Sequence, residues 1–260
     1  MNIDDIYPSL SDLKKRAKSR LPFFAWEYLD SATGVEDQKN RNREELNKIL
    51  FETRILKGEY VPNQKTTFLG KTYSHPFGVA PVGMSGMIWP GAEYILARGC
   101  AKAKIPYCLS AVATVTPEMI SSSIGDMGWM QLYPPTDADV RRDMLLRAKN
   151  AGFHTLVLTV DVPAPSRRER QRRAQLTIPP KITPKMLWET ATHPSWALGT
   201  AKYGQPRLRF AESYVKVKGN TSSTAHPGYI IRGKPDWKYL SELRNEWDGH
   251  IIVKGITSAH

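Results

Sequence analysis

The sequence alternates short apolar runs with longer segments that have the spacing of amphipathic helices. The first four runs begin at residues 77, 107, 128 and 155, so 30, 21 and 27 residues separate their starts. Such spacings are typical of βα repeats, in which each strand is followed by a helix that leads to the next parallel strand. A fifth run follows after a much longer gap. We therefore predict an α/β fold with five parallel strands: "FGVAPVG" (77–83), "YCLSAVA" (107–113), "GWMQLY" (128–133), "TLVLTVD" (155–161) and "HIIVKG" (250–255).

Polar side chains stand near the C-terminal ends of four of these runs. In a closed (β/α)8 barrel all strand ends converge on one site, whereas an open doubly wound sheet uses only the strands at its switch point. No GxGxxG motif follows the first run, which also argues against a dinucleotide-binding sheet. We favour a TIM (β/α)8 barrel, incomplete here with the first five of its eight strands. The strand-end residues are Ser110, Gln131, Tyr133, Thr159, Asp161 and Lys254.

The remaining sequence divides into a helical segment before the barrel and a long loop within it. Residues 1–76 are predicted to be helical in 9–57, where "RNREELNKILFETRIL" (41–56) has enough apolar side chains to bury one face. Residues 77–260 would form the partial barrel. The stretch from about 170 to 235 has no sustained period and is rich in proline and glycine, so we predict a mobile excursion over the barrel mouth.

The positive charge is concentrated in and next to that excursion. Between Val162 and Pro235, fourteen Lys and Arg stand against three acidic residues, a net +11 of the chain's +12. This predicts one basic surface. The run "RRERQRR" (167–173) lacks aromatic interleaving, so we expect no nucleic acid partner. An anionic membrane fits better, because the excursion also holds Met186, Leu187, Trp188 and Trp196; the alternative is a solvated lid.

Other features concern the compartment and metal binding. Cys100 and Cys108 are the only cysteines, and their apolar surroundings predict two buried thiols in a reducing compartment. The N-terminus lacks a signal peptide, and no apolar stretch is long enough to span a bilayer. We expect a cytoplasmic protein, attached peripherally to the inner face of the membrane. No His or second carboxylate is spaced to join Asp161, so we predict a structural role for it and no metal site.

Several motifs together resemble one family, over residues 9–260. They are "LPFFAWEYLDSA", "NRNREELNKILFETRIL", "GVAPVGMSGMIWPGAE", "LSAVAT", "QLY", "TLVLTVDVPAPSRRER", "THPSWA" and "IIVKGI". The sequence resembles the FMN-dependent 2-hydroxy-acid dehydrogenases and oxidases. Within them it is most similar to bacterial L-lactate dehydrogenases that pass electrons to quinone or cytochrome. Val112, where several oxidases carry tryptophan, favours a dehydrogenase.

The resemblance implies a role for each matching position. Lys254 would lie beside the N1 side of the flavin, where a cation stabilises the charge that accumulates on reduction. Tyr28, Tyr133 and Arg168 would bind the small 2-hydroxy acid. The remaining cofactor contacts would come from the backbone of Pro81, Val82 and Gly83 and from the side chains of Ser110, Gln131 and Thr159.

Other motifs that the resemblance implies do not occur in these 260 residues. The family's catalytic histidine lies in a "SNHGGRQ"-like motif, and its FMN phosphate is held by glycine-rich loops after strands seven and eight. We therefore assign no catalytic residue within this chain and interpret it as the first two-thirds of the enzyme. The intact enzyme would oxidise an L-2-hydroxy acid, by preference lactate, as a homo-oligomer. The alternatives are an inactive fragment that retains only anionic-surface association, and a barrel enzyme of other flavin or phosphate chemistry.

Overall fold

The computed structural model describes residues 2–162, 167–178, 182–214, 221–222 and 233–258. The strands in these ranges are β1 (Thr66–Phe68), β2 (Lys71–Tyr73), β3 (Tyr107–Ser110), β4 (Gly128–Leu132), β5 (Thr155–Thr159), β6 (Thr177–Ile178), β7 (Thr221–Ser222) and β8 (His250–Lys254). The helices are α1 (Ile3–Ile6), α2 (Leu10–Arg20), α3 (Phe23–Asp30), α4 (Asp37–Asn47), α5 (Ser85–Ile88), α6 (Ala92–Ala103), α7 (Pro117–Ile124), α8 (Ala138–Asn150), α9 (Glu169–Arg173), α10 (Pro184–Ala191), α11 (Pro194–Tyr203), α12 (Arg209–Glu212) and α13 (Trp237–Glu246).

The central sheet has four parallel strands in the order β3, β4, β5 and β8. Helices α7, α8 and α13 each precede the next strand of this sheet, so the predicted βα alternation is confirmed. In the register, Ser110 pairs with Gln131 and Thr159 pairs with Lys254. The strand ends that the sequence singled out therefore lie along one edge of the sheet.

The first apolar run, 77–83, does not form a regular strand. It makes a single parallel bridge between Val79 and Tyr107, with the Val79 N–H donating to the Pro106 carbonyl at 2.9 Å. The next N–H on that side of the ladder would come from residue 81, which is proline and has no N–H to donate. The prediction of five strands is therefore wrong by one, and the first run lies alongside β3 without continuing the ladder.

The helices before the barrel are present but shorter than predicted. Ser9 caps α2 by accepting a hydrogen bond from the Asp12 N–H, as its spacing indicated. Helix α4 ends at Asn47, so the prediction of one helix with a buried face over 41–56 is wrong. Because no surface among the described residues covers it, the segment after Asn47 leaves several apolar side chains exposed: Ile49, Leu50, Phe51, Ile55, Leu56, Tyr60 and Val61.

The described part of the excursion is more ordered in its secondary structure than the sequence indicated. It contains α9 to α12 and the short antiparallel pair β6–β7, none of which belongs to the central sheet. Pro184 and Pro194 stand in the first turns of α10 and α11, a signal for helix starts. Trp196 is 5% exposed and packs with Phe24 and Leu208 in a second core cluster. The prediction that Trp196 lies at a membrane interface is therefore wrong, because its indole is inside the protein.

A buried ion pair joins α8 to α13, the helix that leads into β8. Arg141 donates to the Glu246 carboxylate through Nε at 2.7 Å and Nη2 at 2.8 Å, and to Glu242 at 3.1 Å. Its side chain is 4% exposed and its guanidinium lies over the Tyr239 ring. This bidentate contact fixes α13 against α8.

Candidate functional site

A chain of hydrogen bonds links the polar side chains at the ends of β3, β4 and β5. The Ser110 hydroxyl donates to Gln131 Oε1 at 3.0 Å, and Gln131 Nε2 donates to Thr159 Oγ1 at 3.0 Å. Gln131 Oε1 also accepts from the Ala111 N–H. All three side chains are buried. Three strand ends therefore present one ordered row of hydroxyl and amide groups.

Lys254 completes this row at the end of β8. Its ammonium group lies 3.2 and 3.4 Å from the two carboxylate oxygens of Asp161, and its side chain is 44% exposed. Asp161 thus holds the lysine in place, in agreement with the structural role predicted for it. Burial raises the pKa of the neighbouring Cys108 thiol to about 12, and the charge of Lys254 offsets that rise slightly.

Helix α3 brings Tyr28 to the segment after the first run. The Tyr28 hydroxyl donates to the Gly83 carbonyl at 3.0 Å, and the Met84 N–H donates to the Val112 carbonyl. A Cβ on Gly83 would lie 2.8 Å from a methyl group of Val112, so this close approach requires glycine. Pro81, Val82 and Gly83 are in this way held beside the loop that follows β3.

Glu93, which the sequence did not single out, fixes the same two loops. Its side chain is fully buried, and Oε1 accepts from the Gly86 N–H, the Thr114 N–H and the Thr114 hydroxyl. A buried carboxylate with three donors ties the first turn of α5 to the loop after β3. The sequence gives no signal for this contact, because it joins residues that are far apart in the chain.

The basic motif after β5 places Arg168 and Arg170 differently. Arg168 is the N-cap residue of α9 and is partly buried. Arg170 binds three carboxylates of the N-terminal segment: Glu27 at 2.6 Å, Asp30 at 3.3 Å and Glu36 at 2.9 Å. The sequence assigned no role to Arg170, which fastens α9 to the helix that carries Tyr28.

The pKa values of Asp30 and Glu36, two of the carboxyl groups that Arg170 contacts, are lowered. Hydrogen bonds from the Ala32 N–H, Lys39 and Arg170 hold the pKa of Glu36 to about 2. Burial alone would raise the pKa of Asp30, but Lys14, Lys39 and Arg170 together lower it. These carboxylates therefore stay charged over the physiological range.

Tyr133 directly follows Leu132, the last residue of β4. It is partly buried and packs against the second core cluster, which also contains Val112 and Met84. Tyr28 packs against this cluster as well. The two tyrosines predicted to bind substrate are thus both on the side of the sheet where α3 and the excursion meet.

Comparison with known proteins shows the family to which the chain belongs. The model of the FMN-dependent dehydrogenase family matches residues 17–260. The chain belongs to this family. The L-lactate dehydrogenase of Pseudomonas syringae pv. syringae is 33% identical over 254 residues, which cover 96% of this chain and 66% of the relative. The L-lactate dehydrogenase of Xanthobacter autotrophicus is also 33% identical, over 96% of this chain and 65% of its own length.

Solved structures of the family share the fold. The monotopic membrane protein (S)-mandelate dehydrogenase superposes with a TM-score of 0.85 and 29% identity, over 96% of this chain and 66% of that one. The α/β fold therefore matches the family's TIM-barrel enzymes over part of their length. The chain spans about two thirds of the length of the relatives that it matches.

Three further observations concern the cysteines, membrane-spanning helices and metal sites. Both cysteines are free and buried, as predicted. Among the residues that the structure describes, no helix is long and apolar enough to cross a bilayer. The same residues contain no group of three His, Cys, Asp or Glu side chains that could bind a metal ion.

Proposed function

We propose that the chain forms the flavin-ring side of an enzyme that oxidises an L-2-hydroxy acid, by preference L-lactate, to the 2-keto acid. The observation that carries this proposal is the row formed by Ser110, Gln131 and Thr159, with Lys254 on the adjacent strand end. A row of buried polar groups at converging strand ends is the arrangement that TIM-barrel enzymes use for catalysis and cofactor binding.

The chemistry of these side chains fits the polar edge of a flavin ring. Hydroxyl and amide groups both donate and accept, which suits an edge that alternates carbonyl oxygens with ring nitrogens. Bound FMN supplies the two-electron acceptor for oxidation at the substrate C2 atom. Lys254, oriented by Asp161, would provide positive charge where the reduced ring is anionic. The backbone of Pro81, Val82 and Gly83 would approach the ring from the segment that Tyr28 and Val112 hold beside the loop after β3.

The substrate would be oriented by Tyr28, Tyr133 and Arg168. Tyr28 is positioned by its contact with Gly83, and α3 is positioned by the contacts of Arg170 with Glu27 and Asp30. Holding the carboxylate and the hydroxyl of the substrate in one geometry reduces the entropy cost of reaching the reactive arrangement. The proton acceptor is a histidine that we expect outside these 260 residues, and the electron acceptor is a quinone or cytochrome. The alternative remains an inactive fragment of such an enzyme.

The role of Lys254 is tested by its effect on the two redox forms of the flavin. We expect Lys254→Met to weaken binding of reduced FMN about tenfold more than binding of oxidised FMN, since ~1.4 kcal/mol of lost charge stabilisation corresponds to that ratio. Anaerobic titration of both forms measures it. Lys102→Met, at an exposed position of α6, is the control and should leave the ratio unchanged.

Two results test the place of Lys254 beside the flavin and decide between an active enzyme and an inactive fragment. Equal weakening of both redox forms by Lys254→Met would contradict a place for this ammonium beside the flavin. If the substrate is an L-2-hydroxy acid, the longest natural polypeptide that contains these residues should reduce a dye when L-lactate is added. D-lactate should not support this reduction. Failure of that assay while flavin binding persists would favour the inactive fragment.

We propose as a second function that the excursion attaches the protein to an anionic membrane. The specific support is α10, where Leu187 is 59% and Trp188 is 72% exposed beside Lys185. Exposed aromatic and aliphatic side chains next to cations are typical of elements that lie in a bilayer interface. The relative that is a monotopic membrane protein favours the same proposal.

Vesicle flotation tests this attachment. We expect the chain to bind vesicles containing phosphatidylglycerol and to be released by salt, because its cations are attracted to the lipid charge. Changing Leu187→Gln and Trp188→Gln together should weaken binding at least tenfold, since each buried apolar side chain contributes roughly 1.5–3 kcal/mol. Equal recovery with neutral and anionic vesicles, insensitive to salt, would refute it.

A further inference from the structure

Helix α2 carries a second concentration of positive charge, outside the excursion. Its eleven residues, LSDLKKRAKSR, include five Lys or Arg and one Asp, and none of them is buried. Within the described residues, ion pairs engage Lys14 with Asp30 and Lys15 with Asp12. Arg16, Lys18 and Arg20 form no ion pair there and are exposed. The helix therefore presents three cations that no carboxylate of the described chain neutralises.

Helix α2 is linked to helix α11 of the excursion through a chain of side-chain contacts. Arg20 lies 4.6 Å over the Trp89 ring, and the Trp196 indole donates to the carbonyls of Met87 and Ile88, which precede Trp89. Trp196 in turn meets the Phe24 ring edge-on at 5.4 Å. The end of α2 and the start of α3 thus share one packed region with the excursion.

The exposed faces of α3 and α10 also meet directly. Lys185 lies 5.1 Å over the ring of Phe23, and the Phe24 N–H donates to Glu189 of α10. Phe23 is 44% exposed although it opens a helix whose following residues are buried. Phe23 is therefore an exposed ring in contact with α10, the helix that also exposes Leu187 and Trp188. Arg20, the last residue of α2, stands three residues before Phe23 in the chain.

We propose that α2 and the first turn of α3 lie on an anionic phospholipid surface together with α10. This inference rests on the proposed attachment of the excursion and extends it to a second element of the chain. A lipid surface is favoured by flexible cations around a few exposed apolar groups and requires no matching shape. The charge and the exposed rings of this surface thus fit lipid better than a protein partner.

The test uses the 260-residue chain and vesicles of phosphatidylglycerol and phosphatidylcholine. Neutralising α2 with Arg16→Gln, Lys18→Gln and Arg20→Gln should weaken partitioning roughly 100-fold, at about fivefold for each of the three cations removed from the lipid surface. Glutamine keeps the helix propensity, and thermal melts verify that the fold is unchanged. The matched control, Lys65→Gln, Arg98→Gln and Lys102→Gln, removes the same net charge at exposed positions outside the surface.

Each outcome decides a different point. Loss of binding in the α2 variant, with the control close to the unmodified chain, supports the inference. Unchanged partitioning of the α2 variant, while the Leu187 and Trp188 changes weaken it, overturns the inference and leaves the attachment of the excursion standing. An equal loss of partitioning in the α2 variant and in the control overturns the inference, because net charge alone would then explain the binding. No binding of the unmodified chain to anionic vesicles refutes the attachment itself.

Discussion

A polypeptide of these 260 residues is expected to bind FMN and riboflavin with similar, weak affinity and not to oxidise lactate. The ring-facing groups at Ser110, Gln131, Thr159 and Lys254 are present, whereas the family's phosphate-binding loops and histidine motif do not occur in this sequence. Each charge-assisted hydrogen bond to a phosphate contributes ~1.5–3 kcal/mol. Without three or four of them, the affinity for FMN should be several orders of magnitude below that of an intact family enzyme.

Fluorescence titration with both flavins measures this prediction. The ratio of the two dissociation constants is the informative quantity, because riboflavin lacks only the phosphate. An FMN affinity far above that of riboflavin would mean that the chain does hold a phosphate site. Purification of a yellow protein with stoichiometric FMN and lactate-dependent dye reduction would overturn the prediction entirely.

The second large effect is expected at the ion pair between α8 and α13. Arg141→Met should lower the free energy of unfolding by roughly 3–5 kcal/mol, because it leaves the Glu246 carboxylate without its bidentate partner in a largely buried position. Urea denaturation measures the loss. Arg142→Met is the matched control: that side chain is 56% exposed, so its ion pairs should contribute about 1 kcal/mol or less.

Comparing the stability losses of Arg141→Met and Arg142→Met separates the effect of burial from the effect of removing a charge. Equal, small losses for Arg141→Met and Arg142→Met would show that the buried pair contributes no more than a surface pair. Adding Glu246→Gln to Arg141→Met should recover part of the loss, since the remaining carboxylate is then neutral. A double variant less stable than Arg141→Met alone would contradict the explanation.

The strands of the central sheet could be predicted because their sequence signals are local. Runs such as 155–159 and 250–254 are apolar, β-branched and flanked by turn residues, and each formed a parallel strand. Their polar ends could be predicted to meet because parallel strands align their C-terminal ends. The strand prediction for residues 77–83 was wrong because Pro81 lacks the N–H that the ladder needs. The run is otherwise apolar enough for a strand.

The remaining errors arise where structure depends on distant contacts. Residues 48–56 contain apolar side chains at a plausible helical spacing, but a helical face is stabilised mainly by the surface that covers it. Trp196 was predicted to lie at a membrane interface because basic residues stand near it in the sequence. Its contact with Phe24 joins residues that are far apart in the chain, so no local pattern could indicate it. The clusters around Glu93, Arg141 and Arg170 also join residues far apart in the sequence. The hairpin β1–β2 turns at Leu69-Gly70, where both residues have positive φ, and Leu-Gly is not one of the Asn-Gly or Asp-Gly pairs that signal such a turn in a sequence.

The connection between β5 and β8 affects the order in which the sheet can assemble. About 90 residues separate the end of β5 from the start of β8, against about 22 between β4 and β5. Closing a loop four times as long costs ~1.2 kcal/mol more in chain entropy, and that cost precedes any gain from pairing. β3, β4 and β5 can therefore associate early, while β8 joins at the end. Lys254 would then be the last member of the strand-end row to arrive during folding and the first to leave when the sheet opens.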